Sequence, residues 1–518
     1  MKKRIGGIYM ALFEKGGYYP PIGHKERIDR YTENKRLFKG EHYDVFERFQ
    51  KYPSDTLYIS ANLAGLICKK SADFLFGESP NFSAGRKDDS PEQERLDKWV
   101  RENSLEMKLQ QSATGNAFRG DSFFKVRWGQ KWNGKVPEKF DPFRIIIESQ
   151  NPKYVFPETS KGDASQIEVY HIAYPTVIAG SGDQDWILHI ESHYPNKIIY
   201  QKFEMIPISA NGVEVDQWKI GKELKSHYRE VKTGVPFPLI VHIPNYATDD
   251  DWEGIDDLSE HKPLFDEMNR RLTAISQILD KHADPAIAVP TGVLGEDEWG
   301  NPTFVVGRDK VFEVMGKDDV IPQYITWNGQ LQAAFEELDR IVEMILINAE
   351  IPAVALGKGD SGTSGSSGLA IKFRMNSLLS KINRKRQFYD KGLQELFMIC
   401  QLLEDAKLGD GKGYDFFDVK IHFKDGLPTD EAEQANIMNV RTGGKPTLSQ
   451  KTALMRIDGL TEEQAEVELK RMEEEAEREN EKTEKMFANP SAFQTEVDED
   501  TFEGNENEEN QEDEGGDE

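Results

Sequence analysis

Along the 518-residue chain the spacing of apolar positions changes several times, and each change marks a different kind of element. The stretch SANLAGLICKKSADFLFGESP places Leu63, Leu66, Ile67, Phe74 and Leu75 at helical spacing behind Asn62, and it runs out at Gly77 and Pro80. An Asn can cap a first turn and a Gly/Pro pair ends a helix, so the pattern predicts a buried helix with a hard stop. Two more helical stretches, near 92–102 and 104–118, precede runs rich in β-branched and aromatic residues: SFFKVRW, FRIIIES, QIEVYHIAY, DWILHIESHY, KIIYQKF and PFPLIVHIPN. Turn signals such as NPK, GSGD and NGVE separate them, so residues 61–247 are expected to begin helical and end in a mostly antiparallel sheet.

From Leu258 to His282 the pattern becomes a single stripe, with Leu264, Phe265, Met268, Leu272, Ile275 and Leu279 recurring at three and four. A second stripe, Leu331, Phe335, Leu338, Val342 and Ile345, runs from Gln330 to Ala349. At 1.5 Å per residue the two helices would be roughly 38 Å and 30 Å long. Between them lies a segment of short β-like runs and Gly/Pro turns, so the expectation is a long helical hairpin with a small α/β module at its tip. A third long helix is expected over Leu369–Lys407, followed by a strand in YDFFDVKIHF and by helices near 429–440, 448–456 and 461–486.

The stretch ALGKGDSGTSGSSGLAIKFR, residues 355–374, holds Gly357, Gly359 and Gly362 at a dinucleotide-turn spacing and nearly spells a P-loop. Both readings need a strand ahead of the glycines, because the turn must deliver a phosphate to a helix N-terminus at a sheet edge. The preceding segment is the helix FEELDRIVEMILINAE, and Thr363 and Ser364 stand where the P-loop needs Lys and Ser/Thr. A nucleotide-binding enzyme using residues 357–364 is therefore the weaker alternative. A Gly/Ser/Thr-rich linker is the simpler one.

Charge sharpens the division of the chain. Of the net charge of -27, thirteen acidic side chains without a Lys or Arg lie in residues 489–518. Residues 461–488 add eleven Glu against five Lys/Arg, so the body is only mildly acidic. The tail has too little apolar surface to offset ordering entropy and is expected to be disordered. No apolar run approaches the roughly 20 residues a bilayer needs, and no signal peptide is legible at the start. Two cysteines, Cys68 and Cys400 in apolar helical settings, exclude a disulfide framework and suit a reducing cytoplasm.

Taken in order, NLAGLICKKSADFLFGESP, the helix–insert–helix block, SGTSGSSGLAIKFRMNSLLSKINRKRQFYDKGLQEL and VKIHFKDGLPTDEAEQANIM resemble the portal proteins of tailed bacteriophages, in the branch typical of long-tailed phages of Gram-positive hosts. The resemblance spans about 61–480. It implies an α+β multidomain portal fold: an N-terminal arm (1–60), an α/β wing (61–257), stem helices (258–284 and 330–352) flanking a clip (285–329), a tunnel loop (353–368), a long helix with a returning wing strand (369–428), a helical crown (429–488) and the acidic tail (489–518).

It also implies a non-enzymatic homo-oligomeric ring, twelve subunits in virions, at one capsid vertex. Double-stranded DNA would pass through its channel, driven by the large terminase, with major capsid protein, scaffolding protein and a head-completion adaptor as further partners and with no cofactor and no membrane. Gly357, Lys358, Gly359, Asp360, Ser361 and Gly362 would form the DNA-facing loop. Glu336, Glu337, Asp339 and Glu343 would line the channel, and Glu296, Asp297, Glu298, Arg308 and Lys310 of the clip would dock terminase or adaptor, although an ordinary polar turn explains the three acids equally well. Another oligomeric capsid component without a channel is the remaining alternative.

Two physical arguments bear on this reading. Long helices striped on one side cannot cover both flanks as a lone hairpin, so neighbouring copies are expected to cover them. A wall rich in Glu and Asp also suits DNA that must slide, since many phosphate contacts would grip it. The basic run Lys381, Arg384, Lys385, Arg386 and Lys391 is read as a solvated or inter-subunit face in preference to a DNA contact. Trp128, Trp132 and Trp186 are read as core, and His242, His261 and His282 as structural or solvated. The histidines show no metal-ligand spacing, and no catalytic triad or carboxylate pair can be assembled from the sequence.

Overall fold

In the computed structural model the chain is described over residues 12–46, 58–85, 90–132, 134–177, 186–210, 213–283, 287–288, 295–296, 299–300, 302–303, 323–324, 331–357, 368–424, 431–443, 446–457 and 462–488. It divides into two compact units, Met1–Asp430 and Glu431–Glu518.

The first unit opens with the short strand β1 (Tyr18–Tyr19), helix α1 (Lys25–Lys39) and one turn, α2 (His42–Val45). These lie in the predicted arm, yet they are built into the body. β1 pairs with a strand two hundred residues later, and Arg27 on α1 donates to the carbonyls of Pro152 and Val155 at 3.1 Å and 2.9 Å. Helix α3 (Leu63–Phe76) begins where Asn62 predicts: its side chain accepts from the Gly65 amide at 2.8 Å. After β2 (Asn81–Ser83), α4 (Pro91–Glu102) is capped by Ser90 and α5 (Leu105–Arg119) ends at Gly120, whose φ of +92° closes the helix.

Nine strands follow: β3 (Asp121–Gly129), β4 (Arg144–Gln150), β5 (Val155–Thr159), β6 (Ile167–Val177), β7 (Trp186–Tyr194), β8 (Lys197–Ala210), β9 (Val213–Glu223), β10 (Arg229–Lys232) and β11 (Ile240–Pro244). They form a seven-stranded antiparallel sheet, β1-β9-β8-β7-β6-β5 with β10 also on β8, and a three-stranded one, β11-β3-β4. β3–β4 and the run β5 to β9 pair as consecutive hairpins, which is what the alternating runs and turn residues specify, whereas β1–β9, β10–β8 and β11–β3 join strands that are not neighbours in sequence.

The hairpin comes next: α6 (Lys262–Ala283), then the short strands β12 (Ile287–Ala288), β13 (Gly295–Glu296), β14 (Pro302–Thr303) and β15 (Gln323–Tyr324), then α7 (Leu331–Asn348). β12 pairs with β15 and β13 with β14. The two stripes meet through buried Phe265, Met268, Ile341 and Ile345, which join the main core.

The expected third helix is divided. α8 (Gly368–Arg374) stops at Met375, and α9 (Asn376–Leu408) continues from it. The expected strand after it is only β16 (Lys420–His422), paired with β2, because Tyr414 and Phe417 instead pack on Trp99, Tyr414 edge-on and Phe417 stacked. α9 lies against the three-stranded sheet, and a Cβ on Gly392 would collide with the side chain of Ile243 on β11. Cys68 and Cys400 are both buried and free.

The second unit holds α10 (Glu431–Thr442), α11 (Gln450–Ile457) and α12 (Glu462–Ala488). Ala453 and Ala465 are buried there, and Lys451 bridges Glu462 and Glu466 at 2.8 Å and 2.6 Å. The acidic tail lies outside the described residues.

Candidate functional site

The exposed side of α7 is patterned. With about 100° per residue, Asp339, Glu343 and Glu336 fall within roughly 60° of one another on the side away from Ile341 and Ile345, and all three are exposed. Phe335 lies about 40° beyond one edge of this acidic stripe, and Ile347 and Met344 about 20° and 80° beyond the other. These three are 45%, 65% and 50% exposed, so apolar side chains border the charged face, with exposed Arg340 set between Ile347 and Met344. Glu337, also expected on the wall, has a further partner: its carboxylate bonds Arg271 of α6 at 2.7 Å and so ties the two long helices together.

The end of α7 is closed by two backbone bonds, Glu350 N–H to Ile347 O at 3.0 Å and Ile351 N–H to Leu346 O at 2.9 Å. This is a Schellman closure, which places Glu350 in the left-handed region, φ +58°, where glycine is usual. A carboxylate-bearing residue in that conformation is strained, and here its side chain is held by an ion pair to Arg384. Residues Ala353–Leu356 then form a 3-10 turn ending at Gly357, φ +72°. Val354, Ala355 and Leu356 pack against the main core, so the first residues of the predicted loop belong to the body and the glycine-rich segment starts after them.

Beneath this closure lies a buried charge cluster. Gly120 and Gly254 approach so closely that a Cβ on either would strike the other's carbonyl, and the Asp257 N–H donates to Ala117 O at 2.7 Å. The segment is thereby pinned to the end of α5, which sets the Asp257 carboxylate inside the core. It accepts from Ser71 Oγ at 2.9 Å, Asn245 Nδ2 at 3.0 Å and Lys385 Nζ at 2.5 Å, with Lys381 Nζ at 3.5 Å. Burial works to raise the Asp257 pKa, but the charges of Lys381 and Lys385 and the bonds from Lys385 and Asn245 outweigh it and hold the group well below the usual carboxylate range. Burial pulls Lys385 down to about 8, against the opposing charge of Asp257. Lys381 also donates to the carbonyl of Ala349, at the end of α7, at 3.1 Å.

The basic run is therefore not a solvated face. Lys381 and Lys385 are 6% and 2% exposed, Arg384 pairs with Glu350, Arg386 donates to the carbonyls of Phe74 and Lys424, and Lys391 is exposed near Glu395. Sequence reading missed this cluster, although a signal existed: Lys381 and Lys385 fall in the same helical stripe as buried Leu378, Ile382, Tyr389 and Leu393. Lys358, Gly359, Asp360, Ser361 and Gly362 lie outside the described residues, as do Asp297, Glu298, Arg308 and Lys310. Glu296 is placed at the end of β13.

Trp128 packs on the main core and Trp186 against Trp218, whereas Trp132 is 49% exposed on the β3–β4 loop and corrects the expectation of core. His242 is half-buried against Asp121 at 2.7 Å, and His261 is buried. The side chain of His282 lies outside what is described.

One arrangement imitates a catalytic triad. His171 bonds Ser192 Oγ at 2.7 Å through Nδ1 and Glu158 at 3.0 Å through Nε2, on adjacent strands β6, β7 and β5. Ser192 is 3% exposed in mid-strand, where its hydroxyl cannot meet a substrate, so the trio acts as a cross-strand hydrogen-bond network. Among the described residues no cluster of three metal-ligating side chains comes together, and no helix is long and apolar enough to cross a membrane.

No curated protein matches the chain. A protein family described as phage portal protein, SPP1 Gp6-like, matches residues 22–482, from just ahead of α1 through most of α12. With a match over most of its length, and with a striped helical hairpin mounted on a mixed helix and sheet body, the chain belongs to the phage portal protein family and is a portal protein of tailed bacteriophages.

Proposed function

We propose that this portal protein works as a closed, non-enzymatic ring at one capsid vertex, through which a separate packaging ATPase, the large terminase, drives double-stranded DNA. Capsid and scaffolding proteins would hold the ring during assembly, and the large terminase and then an adaptor would dock on the clip. The ring would later release the genome. The observation that carries this reading is the patterning of α7. An acidic face bordered by exposed Phe335 on one side and Ile347 and Met344 on the other suits a helix whose flanks meet copies of itself and whose charge faces a passage. A heterologous contact of this kind closes into a ring when its rotation permits. Like charge on the wall keeps a duplex, which carries about one charge per 1.7 Å, from being gripped. Residues 353–368, which come after this helix and its closure, are read as the loop that reaches the DNA.

The test is encapsidated DNA in particles carrying the triple variant Glu336→Lys, Asp339→Lys and Glu343→Lys. Rings should still form, while the amount of packaged DNA falls. Wild-type DNA content would remove this face from the channel.

A further inference from the structure

The buried cluster beneath the α7 closure is short of negative charge. Two lysines share one carboxylate, and the neighbouring acids are engaged elsewhere. Asp256 accepts from the Leu258 and Ser259 amides and from Ser259 Oγ and faces Arg30 at 3.8 Å, and Glu350 reaches outward to Arg384. His261, close by, is held toward its neutral form by burial. Lys385 takes the short contact to Asp257, so Lys381, at 3.5 Å, is the less satisfied partner. Its other bond is to the Ala349 carbonyl, one of the last four of α7, which no helical amide can reach. The end of a helix carries about half a negative charge.

We infer that Lys381 is a positioning residue that fixes the root of the glycine-rich segment: the C-terminus of α7 supplies the missing counter-charge, and Lys381 locks it to Asp257 in the body. The helix end and the body then form one electrostatic unit. If Ala349 moves off, Lys381 stays buried beside a carboxylate already taken by Lys385, which is costly, so the closure is held in one place and leaves it as a discrete step. The Glu350–Arg384 pair, whose side chains are 35% and 50% exposed, is an outer and weaker link. This goes beyond the channel reading and stands without it; only a consequence for DNA would rest on that reading.

The test is hydrogen exchange on the full chain, resolved at the amides of Ala349, Glu350 and Ile351, whose bonds to Ile345, Ile347 and Leu346 form the closure. Lys381→Met keeps the apolar stem and removes the charge and the donor. Exchange at the three amides should quicken about tenfold or more, while α3 and α5 stay within about twofold of wild type. Lys385→Met should leave the closure protected, because Asp257 is then free to pair with Lys381. Unchanged exchange in Lys381→Met would overturn the inference, as would equal acceleration throughout the first unit, which would make Lys381 an ordinary stability residue. If Lys381→Met fails to fold, Lys381→Gln takes its place under the same two criteria.

Discussion

The Nζ atom of Lys385 lies 2.5 Å from Oδ2 of Asp257, with both side chains almost fully removed from solvent. Because the pair also holds Ser71 and Asn245, it connects α3, the end of β11 and α9 through one carboxylate. Taking charges out of water is unfavourable, so such a pair adds little beyond what apolar packing would, yet removing one member leaves the other stranded.

Asp257→Asn should therefore lower stability by about 3–5 kcal/mol, since two buried lysines lose the carboxylate they share. Lys385→Met should cost less, because Lys381 remains to neutralise Asp257. Urea unfolding of the two variants checks the order, and equal losses would contradict it.

Glu191 on β7 gives a pH-dependent test. It accepts from His193 at 2.9 Å and from Lys125 at 3.4 Å, linking the large sheet to β3. Burial works to raise its pKa, but the His193 bond and the charges of His193 and Lys125 bring it down from 4.5 to about 2. A carboxylate lowered on folding stabilises above its unfolded pKa and loses that contribution as pH falls through the folded value. Glu191→Gln should thus cost about 1–3 kcal/mol at pH 7 and progressively less between pH 4.5 and 2. Unfolding midpoints measured across that range should converge for the two proteins; a gap independent of pH would contradict the assignment.

How much of this was legible beforehand differs by element. Asn62, Gly77 and the stripes of α6 and α7 are local signals, and local sequence suffices for them. The Asp257 cluster joins residues up to 314 positions apart, from Ser71 to Lys385, and nothing periodic surrounds Asp257. The lysines did carry a hint in their register with Leu378 and Ile382, but a basic run reads as surface unless its phase is checked. The Ser192–His171–Glu158 network depends on strand register, which the sequence does not print. Among the proposed site residues, the exposure of Glu336, Asp339 and Glu343 followed from helical phase, while the bond from Glu337 to Arg271 required knowing how α6 lies on α7.

The exposed flank of α7 separates folding from assembly. Ile347 is 65% exposed in the last turn of α7, where a positive charge suits the helix end, so Ile347→Lys should change the stability of the chain itself by no more than about 0.5 kcal/mol. In a ring the same side chain would be covered, and a charge there should lower the assembled fraction. Mass photometry beside thermal unfolding reads both, and assembly identical to wild type would take Ile347 out of the interface.

The glycine-rich segment after Gly357 is proposed to follow a moving duplex, using the freedom of glycine to adopt positive φ. Ser361→Pro with Ser364→Pro restricts that freedom. Particles carrying it should assemble normally and package or retain less DNA, and Lys358→Glu should act in the same direction more mildly. Wild-type packaging by the proline variant would reduce the segment to a passive linker.

The ring is the central claim, and the mass and shape of the purified protein test it most directly. Twelve copies of a 59.1 kDa chain would give a closed assembly of about 700 kDa, seen end-on in negative stain as a ring with a central hole. A monomer at micromolar concentration and ordinary salt, or a compact oligomer with no hole, would contradict it.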